Sequence, residues 1–476
     1  MSKSEKKPGD TFVDNTTIRE NVVVDDCRHV VNSMLLGKLP FEERILTKFA
    51  GDEVEKLCRN SVLINEDAEG RITRFDRKEL FKGPILGKGG YSTVSEIIGV
   101  KFLNLDSGEG DTKNFGEVLR TSMSRRYSFK CPLSPVSQDG TTISTAPSDE
   151  IDDMNCDQIL DWEEDDMTNQ VHDRKLIAKH CMRGGKARYA FKMLHSSYES
   201  NPKQHFNGII DLAVEARFLA FVRHPHIVRM RAMSLGDPYK SGFFIILDRL
   251  YDTLAVRTRS WAAENKRNKK LIRKFRGGTE ANNLLWNSRL IVMYDITSAL
   301  SYLHSMSVIY RDLKPENLGF DIKGRIKLFD FGLAAELRPE NMLDDGTYKI
   351  PKGGTLRYMS PEVAKKEPCN CSADVYSLGV LLWFVLALET PFKGFTVEKH
   401  AKLVVQENFR PKIPSSWSPE IKSLIENSWS VNIQKRPTSQ EMCEILSGVI
   451  GKFLYPTKNR NELGNYSLSS TCSSRT

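Results

Sequence analysis

Apolar positions along the chain change their spacing several times, and each change predicts an element. Arg71 to Val100 reads as strand, turn and strand, its β-branched and apolar residues interrupted by Gly87-Lys88-Gly89-Gly90. Arg188 to Met193 alternates like a strand, and Phe243 to Leu247 is a short apolar strand. Across Asp211 to Val222 the period lengthens. Ile210, Val214, Phe218, Phe221 and Val222 form one stripe, which predicts an amphipathic helix with Asp211 in its first turn. Leu284 to Met306 predicts a longer helix that buries Leu290, Met293, Ile296, Leu300 and Leu303. Val375 to Leu388 is apolar and uncharged but shorter than the roughly 20 residues that span a bilayer, so a buried core helix is expected and no integral membrane segment.

Outside these stretches the patterning weakens. Residues 1 to about 30 are polar without a period, whereas Val30 to Leu57 carries apolar residues at mixed helical spacing around Gly37 and Pro40, which predicts one or two short helices. Arg120 to Ser148 is Ser/Thr-rich, and Asp149 to Asp166 is densely acidic with no lysine or arginine. Arg257 to Arg276, containing KRNKKLIRKFR, is strongly basic and reads as a solvated loop. After Tyr455 the chain is polar and Ser-rich, and disorder is expected.

Composition adds little. The chain has 476 residues, 40% hydrophobic and 27% charged, with a formal charge of +8, which is ordinary for a globular protein of this length and indicates no nucleic-acid partner. Nine cysteines are scattered, and the closest pair, Cys369 and Cys371, lacks the two-residue gap usual in zinc or redox motifs. Together with a first segment, MSKSEKKPGD, that has no apolar run, this predicts an intracellular, cytoplasmic protein, with the nucleus an alternative.

The densest chemistry lies in Tyr310 to Gly332, YRDLKPENLGFDIKGRIKLFDFG. Asp312, Lys314, Asn317 and Asp330 there suit the handling of metal-bound phosphates, because hard cations take oxygen ligands and phosphate oxygens need cationic partners. Upstream, the glycines at 87, 89 and 90 let backbone N–H groups approach phosphate oxygens where a side chain would collide. Taken alone, such a turn is better explained by a tight hairpin.

In combination these motifs resemble the eukaryotic protein kinase family, of the serine/threonine type and similar to the tyrosine-kinase-like group. The resemblance covers roughly Phe75 to Leu446 and rests on Gly87 to Val94, Ala190-Phe191-Lys192, Asp312 to Asn317, Asp330-Phe331-Gly332, Ser360-Pro361-Glu362 and Arg436-Pro437-Thr438. It implies an α+β, two-lobed fold: a small β-rich N-lobe with one key helix and a large, mainly helical C-lobe. The implied layout is an N-terminal extension over 1–70, a kinase domain over 71–450 and a tail over 451–476. Within the domain the N-lobe is 71–247 with an acidic insertion at about 101–185, the hinge is 248–250, and the C-lobe is 251–450 with a basic insertion at about 255–280.

The resemblance also implies roles and an activity, ATP- and Mg²⁺-dependent phosphorylation of Ser/Thr hydroxyls in protein substrates. Gly87, Gly89, Ser92, Val94 and Ala190 would enclose ATP, Lys192 would hold its phosphates with Glu215 as ion-pair partner, and the backbone of Asp248 to Leu250 would meet adenine. Asn317 and Asp330 would hold the metal, Asp312 would accept the substrate proton, and Lys314 would approach the γ-phosphate. Activation-segment control is implied by Arg311, with Thr347 and Tyr348 as candidate phosphosites and Thr355 as a structural contact. Glu362 would pair with Arg436. Two features of this sequence depart from the family pattern: Ser92 replaces a third loop glycine, and Gly319 stands where an apolar side chain usually packs below adenine. Gly319 and the two long insertions make a pseudokinase scaffold the alternative function, and the basic insertion leaves open docking to an acidic partner, RNA, membrane lipid or the acidic insertion itself.

Overall fold

The computed structural model describes residues 17–19, 43–58, 61, 63, 70–102, 170–195, 201–274, 278–351 and 353–454. Most of the acidic segment and the tail after Leu454 lie outside the described residues. In chain order the elements begin with the short strand β1 (Thr17–Arg19) and helix α1 (Glu43–Cys58), followed by β2 (Thr73–Phe75), β3 (Leu80–Lys88) and β4 (Ser92–Val100). Helix α2 (Gln170–His180), a small hairpin of β5 (Met182–Arg183) and β6 (Lys186–Ala187), β7 (Tyr189–Leu194), helix α3 (Pro202–Phe221), β8 (Met230–Ser234) and β9 (Phe244–Asp248) complete the smaller lobe. Its six-stranded sheet runs β2-β8-β9-β7-β4-β3, with only β2 and β8 parallel.

The hydrophobic pattern accounts for this sheet and its helix. Phe75, Ile97, Phe191, Phe244 and Ile246 bury one face completely, and Phe191 stacks on Phe244 at 4.6 Å. Asn201 caps α3 by accepting from the Gln204 N–H, and Pro202 occupies the first turn, where its missing N–H costs nothing. The helix therefore begins well before the predicted Asp211, and its Leu212, Val214, Phe218 and Leu219 pack into the main core.

The larger lobe is mainly helical. It contains β10 (Asp252–Thr253), α4 (Leu254–Lys274), α5 (Gly278–Ser305), β11 (Val308–Ile309), β12 (Leu318–Phe320), β13 (Ile326–Leu328), β14 (Ala335–Glu336), β15 (Gly353–Thr355), α6 (Ser372–Ala387), α7 (Pro419–Ser428) and α8 (Ser439–Leu454). The predicted stripe of α5, Leu290, Met293, Ile296, Leu300 and Leu303, is buried in one core with nearly the whole of α6. Helix α6 is thus a core helix, and among the described residues no helix is long and apolar enough to cross a membrane. A three-stranded sheet β10-β12-β13 carries the residues that follow Lys314, and β1 pairs antiparallel with β15.

Two expectations about local structure change. The basic stretch read as a loop is helical through Lys274, because it contains Ala, Leu, Lys and Arg without glycine or proline and buries Leu254, Thr258 and Trp261 at i, i+4 and i+7. Its charges concealed that sparse stripe. The C-terminal end of the segment expected to loop out is also ordered. In α2, Arg174 bonds Glu79 at 2.5 Å and lies over Phe75 at 4.9 Å, while buried Asp173 accepts from Thr73 at 3.2 Å. Charged residues that looked solvated are partnered on the sheet.

Candidate active site

The β3–β4 hairpin brings Gly87 opposite Val94, and Val94 in turn faces Lys192 of β7. Despite the long intervening segment, the glycine turn therefore sits beside the lysine strand. The Gly89 N–H bonds the Ser92 carbonyl at 2.7 Å, closing the turn, and Ser92 is buried at its base. Ala190 is buried on the same strand and pairs with Leu247.

Lys192 is buried and shared between two carboxylates: Nζ lies 2.5 Å from Glu215 Oε2 and 3.0 Å from Asp330 Oδ1. Burial pulls the lysine pKa down, but the two anions outweigh it and hold Lys192 above its ordinary range. Burial raises the Glu215 carboxyl to about 7 against the opposing pull of Lys192. Opposite movements would be expected of a simple pair. Burial, with the negative charge of Asp330 added to it, raises Glu215, while Asp330 and Glu215 together raise Lys192, so both groups move up. The exposures differ accordingly, since Glu215 is sealed at 1% while the Asp330 side chain is 42% exposed.

A second cluster forms in the larger lobe. Lys314 Nζ lies 2.7 Å from Asp312 Oδ2 and donates to Thr355 Oγ1 at 3.2 Å, and the Thr355 hydroxyl donates to Asp312 Oδ1 at 2.7 Å. Asn317 Nδ2 donates to the Asp312 carbonyl and to Oδ2, each at 3.0 Å. Burial raises the Asp312 pKa, while Lys314 and Thr355 oppose the rise. The loop is held from behind by Asp374, which accepts from the Tyr310 and Arg311 N–H groups at 2.7 and 2.8 Å and contacts His304 at 3.0 Å. Tyr310 is fully buried, donates to the Phe329 carbonyl at 2.5 Å and meets Phe331 edge-on. Tyr310 therefore ties the Asp312 loop to the Asp330 strand.

The donor set suits a hard cation. Because the Asn317 NH₂ is committed to Asp312, its amide oxygen is the end turned away from that carboxylate, and Asp330 presents a partly exposed carboxylate. Among the described residues no three His, Cys, Asp or Glu side chains form a metal cluster. Two protein oxygens fit an ion that keeps water and phosphate ligands, as Mg²⁺ does.

Several expected residues have further partners. The Asp248 side chain forms a bidentate pair with Arg231 at 2.7 and 3.0 Å and its N–H bonds Arg229, so its side chain serves the lobe interior. Arg311 donates to the carbonyls of Leu333 and Pro351, so main-chain acceptors hold its guanidinium without a phosphate. The Thr347 hydroxyl is buried and bonds Asp345 at 2.5 Å, and Tyr348 exchanges backbone bonds with Cys369.

Leu250 was expected at the hinge but its packing was not. A Cβ on Gly319 would lie 2.6 Å from Leu250 Cδ1 and 3.0 Å from Leu250 Cβ, so Leu250 fills the space that a larger residue 319 would occupy. No local sequence signal links the two, which are brought together only by β10–β12 pairing. Gly319→Leu is expected to lower stability by about 1–3 kcal/mol through overpacking, and Leu250→Ala in the same chain to recover most of it. Urea unfolding of the two single variants and the double variant measures this coupling; additive losses would mean that the contact is unimportant.

Residues 177–446 match the protein kinase domain family. That span begins beyond the glycine turn, which the sheet nevertheless joins to Lys192. The chain is 34% identical to the serine/threonine-protein kinase STY17 of Arabidopsis thaliana over 179 residues, 38% of this chain and 30% of the relative. It is 35% identical to the serine/threonine/tyrosine-protein kinase HT1 of the same plant over 175 residues, 37% and 43% of the two chains. Similarity to the serine/threonine-protein kinase CTR1 of Arabidopsis thaliana is 33% over 177 residues, 37% and 21%. The chain thus spans less than half the length of these relatives.

Proposed function

Because this chain belongs to the protein kinase domain family, we propose that it is a protein serine/threonine kinase that transfers the γ-phosphoryl group of ATP to Ser/Thr hydroxyls of protein substrates. The observation that carries this reading is Lys192 held between Glu215 and Asp330, together with an Asp312–Lys314–Asn317–Thr355 cluster whose carboxylate feels the charge of Asp330. A cationic phosphate holder and an isolated carboxylate are the two requirements of in-line transfer to a hydroxyl.

In this reading residues 71–247 form the N-lobe, 248–250 the hinge and 251–450 the C-lobe. Gly87, Gly89, Ser92, Val94 and Ala190 cover the nucleotide, and the hinge backbone between Asp248 and Leu250 meets the adenine edge over the Leu250 side chain. Lys192 grips the α- and β-phosphates while Glu215 keeps its ammonium in place. Asn317 and Asp330 would hold Mg²⁺, whose charge would offset that of the phosphate oxygens. Asp312 takes the proton as the substrate oxygen attacks, and Lys314 balances charge on the transferring group. Arg311, satisfied by carbonyls, supports an activation segment that is ordered before phosphorylation, leaving phosphorylation to adjust it. The exposed Lys266, Arg267 and Lys269 of α4 suit an acidic partner.

Gly319 does not favour a pseudokinase, since Leu250 occupies the space beside it and the sequence keeps Lys192, Glu215, Asp312, Asn317 and Asp330. Purified full-length protein incubated with Mg-ATP and mixed peptides is expected to label Ser and Thr, and EDTA to abolish the labelling. Failure to transfer phosphate, or labelling confined to Tyr, would overturn the assignment.

A further inference from the structure

Helix α1 lies outside the span that matches the kinase family, yet it is among the tightly seated elements of the smaller lobe. Leu46, Ala50 and Val54, at i, i+4 and i+8, are each 0% exposed and belong to the main core shared with α3. Polar contacts reinforce the seat. Arg217 of α3 bonds Glu55 at 2.5 Å and the Tyr239 hydroxyl at 2.9 Å, and that hydroxyl donates to Glu55 at 3.1 Å. A Cβ on Gly51 would stand 3.2 Å from the Tyr239 ring, so α1 approaches the lobe as closely as a glycine permits.

The direction of this grip matters. Arg217 follows Glu215 by two residues, roughly 200° around a helix that turns about 100° per residue. Lys192 and α1 therefore hold nearly opposite sides of α3. The other end of α1 reaches a second element, because Arg338, within the segment between Asp330 and Glu362, donates to the Leu57 carbonyl at the α1 C-terminus. Unsatisfied carbonyls and the negative end of the helix dipole favour a guanidinium there.

We propose that α1 is an activating helix supplied in cis: it clamps α3 so that Glu215 reaches Lys192, and through Leu57 and Arg338 it couples that clamp to the activation segment. Leu46, Val54 and Glu55 are positioning residues, and none of them touches the reacting groups. The proposal rests on the kinase reading for its effect on catalysis, but its effect on α3 can be measured without any activity.

The test uses two full-length variants. Gly51→Leu drives a wedge against Tyr239 and leaves the buried stripe unaltered. Leu46→Asp with Val54→Asp removes the apolar seat. In both, amide hydrogen exchange across α3 is expected to quicken at least tenfold and kcat/KM for ATP to fall at least tenfold, while KM for peptide stays within twofold. A synthetic peptide of residues 43–58 is expected to restore the double variant, which a merely stabilising role would not produce. Faster α3 exchange with unchanged kcat/KM overturns the proposal, as does unchanged exchange in both variants. If the double variant fails to fold, Gly51→Leu alone decides. A wild type without phosphoryl transfer would instead overturn the kinase reading, with the exchange measurements still deciding whether α1 clamps α3.

Discussion

Asp312→Asn is expected to lower kcat by about 10²- to 10⁴-fold while leaving KM for ATP within a few-fold of the wild type. The amide has nearly the shape of the carboxylate, and with its NH₂ turned to the Thr355 oxygen its own oxygen can still accept from Lys314 and Asn317, so the loop geometry is largely retained. Its proton affinity is lost. Lys314 simultaneously loses the anion 2.7 Å away, and a modest drop in melting temperature should accompany the kinetic change. Nucleotide binding should be spared because Lys192, Glu215 and Asp330 form a separate cluster.

The pH profile gives the sharper test of Asp312. Burial raises its carboxyl above the ordinary 3.8, partly opposed by Lys314 and Thr355, so the wild-type acid limb should fall above that value. Activity is expected to be full above the raised pKa and to be lost as the carboxylate is protonated. In Asp312→Asn the limb assigned to this residue should disappear. Residual activity that keeps the same limb would place the base elsewhere.

The parts of the molecule that could be read from sequence are those in which neighbouring residues carry the signal. The Leu290 to Leu303 stripe and the apolar run from Val375 each lie within a single helix, and Asp312 and Asn317 within one loop, and the structure keeps each set together. What escaped depends on pairing across distance. Leu250 over Gly319 needs β10 beside β12, and Arg174 on Phe75 needs a strand from before the long acidic segment to meet a helix from after it. Charge also misled. Lys266, Arg267 and Lys269 dominated the reading of α4, although Leu254, Thr258 and Trp261 determine that it is a packed helix. The mixed apolar spacing of Val30 to Leu57 predicts one or two short helices, but the surface that Leu46, Ala50 and Val54 cover exists only after α3 and the loop at Tyr239 have come together.

Breaking the Glu362–Arg436 pair should produce the largest loss of stability from a single side chain. Arg436 donates to both Glu362 oxygens at 2.7 and 2.8 Å, to the Ser430 carbonyl at 2.8 Å and to the Ser372 carbonyl at 3.0 Å. The two side chains are 0% and 6% exposed, so one guanidinium ties the end of the activation segment to the start of α6 inside the lobe. Glu362→Ala leaves that cation buried without its anion and is expected to cost about 3–5 kcal/mol, a large part of an ordinary domain's stability. Replacing both residues by Met should cost less than Glu362→Ala alone, because no unpaired charge remains. Acid should reproduce the defect in the wild type. Burial alone would raise the Glu362 carboxyl, but the hydrogen bonds and charge of Arg436 bring it below 4.5. The unfolded chain then takes up the proton first as pH falls, so the pair's contribution is complete above about 4.5 and declines through the depressed folded value. Urea unfolding at neutral pH and through this acid range should show the wild type losing stability where Glu362→Gln changes less. A loss below about 1 kcal/mol in Glu362→Ala would show that the surrounding carbonyls, rather than the carboxylate, hold Arg436.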